Sequence, residues 1–172
     1  MKKILFAISF LLLATAGYSQ KVEGTFTLPE SERFVSVAWD WSEAIIDKKF
    51  TEKDWAAVNG EKYWEEAKQE ALQLITREMN EKMDNARISV ISPDSETKTA
   101  FTLLICPITY SKKGNNHSFY ILKDNRNGKV IGRCRIAGDG GKIGTVANLL
   151  GDGYEEAARK MGKILKKYNR IR

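Results

Sequence analysis

The sequence predicts an α+β fold: a two-layer sandwich in which two amphipathic helices pack on a mixed or antiparallel sheet of about five strands. Three observations support this prediction. Short segments alternate between apolar and polar residues, as half-buried strands do. Two longer segments repeat apolar residues at three- and four-residue steps, as amphipathic helices do. Finally, 42% of the 172 residues are hydrophobic and 29% are charged, which excludes disordered, collagen-like and multi-span membrane chains.

The first strand begins at Phe34. Its apolar positions alternate through Trp39 and Trp41, so we expect both tryptophans to face the core. Thr51 and Asp54 form a capping-box pattern that predicts a short helix over 51–58. The longest helix is predicted over about 60–84, where one apolar face is formed by Trp64, Ala67, Ala71, Leu72, Ile75, Met79 and Met83.

Four further strands follow the long helix. The alternation predicts strands at 86–92, 98–110, 117–123 and 129–137. Pro107 lacks a backbone N–H, which requires an edge strand, a bulge or a strand end at that point. Asn127-Gly128 marks a tight turn between the last two strands.

The chain ends in a second amphipathic helix. Gly151 and Gly153 are expected to separate this helix from a short turn at 145–150. Ala158 and Gly162 are small and four residues apart, so the helix could approach the sheet closely. The predicted order is therefore β-α-β-β-β-β-α, with the long helix as a right-handed crossover if the first two strands are parallel neighbours.

Residues 1–19 read as a cleaved signal peptide. Lys2 and Lys3 precede an apolar run over 4–16 that is too short to span a bilayer comfortably. Small residues then fit a signal peptidase, with a mature start at Gly17 or Gln20. The segment contains no cysteine to carry a lipid, so we expect a periplasmic or secreted protein that is not a lipoprotein. Residues 20–33 would form an extended N-terminal arm and 34–172 a single domain.

Two cysteines, Cys106 and Cys134, lie in apolar strand-like segments. An oxidising compartment invites a disulfide between them. Buried free cysteines that behave as small hydrophobic residues are the alternative. The sequence alone does not place the two residues within bonding distance.

No catalytic motif stands out. The chain has one histidine, His117, and it shows neither a zinc-ligand spacing nor a nucleophile elbow. The glycine-rich segment 138–144 departs from phosphate-binding patterns at Ile143, which favours a strand-to-helix connection. Paired carboxylates remain for a hydrolase, with Asp40, Glu43 and Asp139 as candidates. We expect no metal and no cofactor.

Two surface features are candidates for binding. Trp55 follows a helix cap and is predicted to be an exposed aromatic residue. Residues 159–172 carry seven basic residues and no acidic one. Such charge offsets a helix dipole, but it also suits an anionic surface or an acidic protein. The basic candidates are Lys163, Lys166, Lys167 and Arg170. Nucleic acid is not expected, because no aromatic residues are spaced along a basic groove.

Three stretches together resemble small exported proteins of Bacteroides-type bacteria. They are the signal end AGYSQ, the strand opening VAWDWSEAII and the terminal GDGYEEAARKMGKILKK. The layout is similar, more remotely, to envelope domains such as the TolB amino-terminal domain and the CsgG-like group. This resemblance implies a role in the cell envelope.

The sequence therefore predicts a non-enzymatic exported interaction module, whose partner is an envelope protein or an anionic envelope surface. The alternative is a binder of a small apolar or glycan ligand between helices and sheet, whose pocket would be lined by Met79, Met83, Met161 and the tryptophans. A carboxylate-dependent hydrolase is the third hypothesis.

Overall fold

The computed structural model describes residues 21–92, 94–141 and 143–171. Its helices are α1 (Glu52–Asn59), α2 (Glu61–Lys82) and α3 (Val146–Tyr168). Its strands are β1 (Val22–Gly24), β2 (Phe34–Trp39), β3 (Ile45–Ile46), β4 (Ser89–Ile91), β5 (Phe101–Tyr110), β6 (Asn116–Asp124) and β7 (Val130–Gly138). The predicted signal peptide lies outside the described residues.

One mixed sheet contains all seven strands, in the order β1-β7-β6-β5-β2-β4, with β3 paired to the end of β5. β2 is parallel to both β4 and β5, whereas the β5-β6-β7-β1 side is antiparallel. The α+β sandwich is thus confirmed, and so is α2 as the crossover between parallel neighbours. The expected strand number was too low, because β1 and β3 have only three and two residues.

The core lies between the two long helices and one face of the sheet. Alternate residues of β5 face it, among them Leu103 and Ile105, both fully buried. Trp41 is buried against the rings of Trp64 and Tyr110, and Trp39 packs against Tyr154. The two tryptophans of the first strand therefore belong to the core region, as predicted.

The N-terminal arm is part of the domain rather than a simple lead-in. β1 pairs with β7, and Phe26 and Leu28 are 0% and 1% exposed. The buried side chain of Asn169, just after α3, holds this segment: its Oδ1 accepts from the Leu28 backbone N–H and its Nδ2 donates to the Phe26 carbonyl. The arm is thereby fixed to the C-terminal end of α3.

α3 is one continuous helix from Val146 to Tyr168, so the expected break at Gly151 and Gly153 was wrong. Gly153 serves packing instead. A Cβ there would lie 1.9 Å from the Gly114 carbonyl oxygen, and the Gly153 carbonyl accepts a hydrogen bond from Asn116 Nδ2 at 2.8 Å. The glycine lets the helix touch the β5–β6 loop, and the tertiary contact outweighs its poor helix propensity.

The small residue Gly162 brings α3 close to α2, not to the sheet as the sequence suggested. A Cβ at this position would lie 2.6 Å from the Met79 carbonyl oxygen in α2. Beside this contact the buried Glu78 carboxylate accepts from Arg159 Nε at 2.7 Å. A close backbone approach and an ion pair therefore join the two helices.

Two local predictions about the strands are confirmed. The β5–β6 register shifts between Pro107 and Thr109, so the proline occupies a bulge in a central strand. Gly128 has φ +72° in the turn between β6 and β7, a conformation that favours glycine.

Candidate functional site

The two cysteines cannot form the disulfide that the compartment suggested. Cys106 pairs with Phe119 and Cys134 with Tyr120, so the two side chains point to opposite faces of the sheet, with β6 between their strands. Both thiols are free. Burial raises the pKa of Cys106 to about 11 and that of Cys134 to about 12, which suppresses the reactive thiolate.

Two of the three carboxylate candidates, Asp40 and Asp139, follow strands that are not neighbours in the sheet. Asp40 directly follows β2 and Asp139 directly follows β7, and three strand spacings of the sheet, roughly 14 Å, separate these strands. Asp40 Oδ1 accepts from the Ser42 backbone N–H and hydroxyl, as in a local turn. Within the described residues no three His, Cys, Asp or Glu side chains cluster as metal ligands do.

Trp55 is not an exposed aromatic residue, and this prediction was wrong. Only 7% of Trp55 is exposed, and its ring packs 5.7 Å from the ring of Phe50. α1 is too short to bury its apolar side by itself, so it turns Trp55 inward against the segment that precedes the helix.

The methionines of the apolar-ligand alternative are core residues. Met79 and Met161 are fully buried and Met83 is 3% exposed, all within one hydrophobic cluster. The Cys134 thiol lies 3.7 Å from Met161 Sδ. These side chains are in contact with other core groups, so none of them faces an open pocket.

The structure divides the basic end of the chain into two groups. Arg159 and Lys160 form ion pairs with carboxylates on α2 and α3. In contrast, Lys163, Lys166, Lys167 and Arg170 form no ion pair with any residue that the structure describes. We call these four residues the basic end. Lys163, Lys167 and Arg170 are exposed at the C-terminal end of α3, and Lys166 is half-buried.

A cleft of about 760 Å³ adjoins the basic end and shares Arg170 with it. Its walls come from the N-terminal arm, the approach to β4 and the residues after α3. We call it the terminal cleft, and the residues that characterise it are Leu28, Glu30, Arg33, Arg87, Tyr168 and Arg170. Three arginines and one glutamate thus line the cleft.

Arg87 is the fixed member of the three arginines. It donates to the backbone carbonyls of Leu28, Pro29 and Glu32, and to Asn169 Oδ1. Arg33 likewise donates to a backbone carbonyl, that of Glu30, at 2.8 Å. All these acceptors are neutral, so the hydrogen bonds position the guanidinium groups without cancelling their charge.

Half-buried Lys68 shows the contrasting arrangement, in which a cation is paired with carboxylates. Lys68 Nζ lies 2.5 Å from Glu52 and 2.7 Å from Glu65. Burial lowers the pKa of Lys68, but the hydrogen bonds and charges of these two glutamates outweigh it and raise that pKa above its ordinary value. Half-buried Arg87, unlike Lys68, forms no ion pair with a residue that the structure describes.

Sequence reasoning found Arg170 but missed Arg33 and Arg87. Both lie far from residue 170 along the chain, and neither belongs to a motif. They reach the cleft only because Asn169 and Arg87 hold the arm against the end of α3, through hydrogen bonds between residues up to 143 positions apart. No sequence pattern predicts that contact.

None of the three described helices combines the length and the hydropathy that a membrane crossing requires.

Comparison with known proteins gives only distant structural likeness. No protein-family model matches the chain, and no curated protein matches it. Among solved structures, the PelC dodecamer from Paraburkholderia phytofirmans is 11% identical, with 90% of this chain and 99% of that chain covered and a TM-score of 0.44. A Xanthomonas campestris protein of the DUF330 family is 12% identical, with 87% and 91% covered and a TM-score of 0.36.

Proposed function

We propose that this protein is an exported, non-enzymatic binding module of the cell envelope, and that its basic end attaches it to an anionic envelope surface. One observation carries the proposal. The basic end presents four cations that no described residue neutralises, next to a cleft with two further arginines. A dipole-offsetting role accounts for Lys166 and Lys167 in the last turn of α3, but not for Arg33 and Arg87 in other segments.

Its non-enzymatic character is supported by the placement of the candidate catalytic groups. Asp40 and Asp139 follow strands that are about 14 Å apart by strand spacing, whereas paired glycosidase carboxylates lie roughly 5–9.5 Å apart. The two thiols are held protonated by burial. Export is supported by the sequence of residues 1–19.

Electrostatics sets the strength of the attachment. Each basic residue close to an anionic lipid surface contributes about 1 kcal/mol. Four such residues are therefore enough for reversible binding, and salt should weaken it, because exposed charges are screened over about 10 Å at ordinary ionic strength.

Fractionation of the native host tests the proposal. The variant Lys163→Gln, Lys166→Gln, Lys167→Gln removes three charges from the basic end. Its matched control is Lys53→Gln, Lys112→Gln, Lys113→Gln, which removes three exposed, unpaired lysines elsewhere. We expect the first variant to move from the envelope fraction to the soluble exported fraction and the control to stay with the wild type. Equal retention of both variants would refute an electrostatic attachment through this end.

Retention that resists salt in all three proteins would instead indicate an envelope protein bound through other contacts. Crosslinking in intact cells, followed by mass determination of the product, identifies that outcome.

A further inference from the structure

We infer that the terminal cleft is a binding site for a small oxyanion, a phosphate or carboxylate group carried on an organic molecule. The inference rests on the proposed function and deepens it, because it gives the anionic partner one specific contact beside the diffuse charge of the basic end.

Arginines from three separate segments line the cleft. Arg33 lies at the end of the arm, Arg87 before β4 and Arg170 after α3. A guanidinium presents a planar set of N–H donors that matches the oxygens of carboxylate and phosphate groups. Three of them around one cavity form a recognition site for such a group, whereas scattered surface arginines do not.

The fold positions this charge before a ligand arrives. Arg87 is half-buried and its guanidinium is tied to four neutral acceptors in the arm and in Asn169. Little side-chain freedom remains to be lost on binding, and this preorganisation favours affinity. The field of Arg87 stays uncompensated because its hydrogen-bond partners carry no charge.

The single acidic side chain of the cleft does not cancel the arginines. Glu30 is exposed, and it is its backbone carbonyl that accepts from Arg33, with no ion pair between the two side chains. Three positive groups against one carboxylate leave the cavity positively charged, which suits an anion.

The remaining walls favour an organic ligand over a bare ion. Leu28, half-buried Tyr168 and exposed Ile171 line the same cavity. Apolar walls with a few placed polar groups are typical of small-molecule sites, and the volume of about 760 Å³ falls in the usual range of about 300–1,000 Å³. The oxyanion could belong to a soluble metabolite or to a lipid headgroup.

A titration followed by amide NMR tests the inference on the mature chain. The probes are inorganic phosphate, glycerol 3-phosphate, and bicelles with and without phosphatidylglycerol. We expect saturable shifts of the amides of Ala86, Tyr168 and Ile171. A response to the soluble probes identifies a soluble ligand, and a response to phosphatidylglycerol bicelles alone identifies a lipid headgroup.

Two variants test the contribution of the cleft arginines. Arg33→Gln with Arg170→Gln should weaken the saturable binding by about tenfold or more, because it removes two charged donors. Lys53→Gln with Lys112→Gln removes equal charge elsewhere and should leave it unchanged. Arg87 is kept in both, since it holds the arm, and the amide spectrum reports the fold.

The inference fails if no probe shifts the cleft amides, or if the arginine variant binds as well as the lysine control. Its failure is distinguishable from failure of the proposed function. If the Lys163, Lys166, Lys167 variant leaves the envelope fraction while the cleft amides respond to nothing, the attachment stands and the oxyanion site does not. If the cleft amides respond while that variant stays in the envelope fraction, the site stands and the attachment through the basic end does not.

Discussion

The side chain of Asn80 pairs with the backbone of Val90 as a strand would. Its Nδ2 donates to the Val90 carbonyl and its Oδ1 accepts from the Val90 N–H, both at 2.8 Å. Val90 belongs to β4, the last strand on its side of the sheet. The amide from α2 therefore occupies the free hydrogen-bonding groups of an edge that could otherwise recruit another strand.

Replacement of Asn80 by leucine should both destabilise the protein and open this edge. We expect a loss of roughly 1–3 kcal/mol in the free energy of unfolding, since a part-buried N–H and C=O lose their partners. Urea denaturation measures the loss, and light scattering measures concentration-dependent self-association. Gln73→Leu, an exposed position on the same helix, is the control. A stable monomeric Asn80→Leu protein would contradict the role assigned to this amide.

Gly153 and Gly151 should respond oppositely to alanine. At Gly153 the added Cβ would meet the Gly114 carbonyl oxygen at 1.9 Å, so the helix must move and the fold should be strongly destabilised. At Gly151 the Cβ meets only the Leu74 side chain, at 3.2 Å. The helix-propensity gain of about 1 kcal/mol should offset that contact. Thermal denaturation of both variants decides the matter, and equal effects would show that α3 does not touch the loop at Gly153.

Glu78 should make stability depend on pH in the acidic range. Burial raises the pKa of this carboxyl, but hydrogen bonds from Arg159 and Arg77 outweigh it and hold the pKa below its ordinary value. A carboxyl with a lowered folded-state pKa stabilises the fold above its unfolded pKa of about 4.3, and the contribution disappears as the pH falls through the folded-state value.

Glu78→Gln should therefore flatten the fall in stability below about pH 4.3. Urea denaturation between neutral and acidic pH compares it with Glu81→Gln, an exposed carboxylate on the same helix that lies 3.9 Å from Arg77. We expect the wild-type pH dependence in the control. An unchanged slope in Glu78→Gln would show that another group dominates.

Both cysteines should remain reduced in the purified protein. Digestion under non-reducing conditions and mass spectrometry should find no Cys106–Cys134 crosslink, because the side chains lie on opposite sheet faces. In the native protein an alkylating reagent should reach half-buried Cys106 before Cys134, which is 1% exposed. Recovery of the crosslinked peptide would contradict the register of β5, β6 and β7.

The long elements of the fold could be predicted from the sequence because each repeats its pattern several times. Examples are the helix predicted over about 60–84, with seven apolar positions on one face, and β5, with ten residues. β1 and β3 are too short to show an alternating pattern of apolar and polar residues. The prediction at Gly153 was wrong because the low helix propensity of glycine is visible in the sequence. The contact with Gly114 that offsets this low propensity is not visible there.

Only part of the candidate site could be predicted from the sequence. The basic run that ends the chain is a local feature, so Arg170 and the three lysines could be identified. Trp55 was assigned to the surface because nothing in its segment reveals the ring of Phe50 beside it. Arg33 and Arg87 join Arg170 only through the folded arm.

The binding of the mature chain to lipid vesicles at increasing salt tests the central claim most directly. We predict binding to vesicles that contain phosphatidylglycerol, no binding to phosphatidylcholine vesicles, and progressive release by salt. The Lys163, Lys166, Lys167 variant should lose this binding while the Lys53, Lys112, Lys113 control retains it. Binding that is indifferent to vesicle charge, or equally strong in the two variants, would contradict an electrostatic attachment through the end of α3.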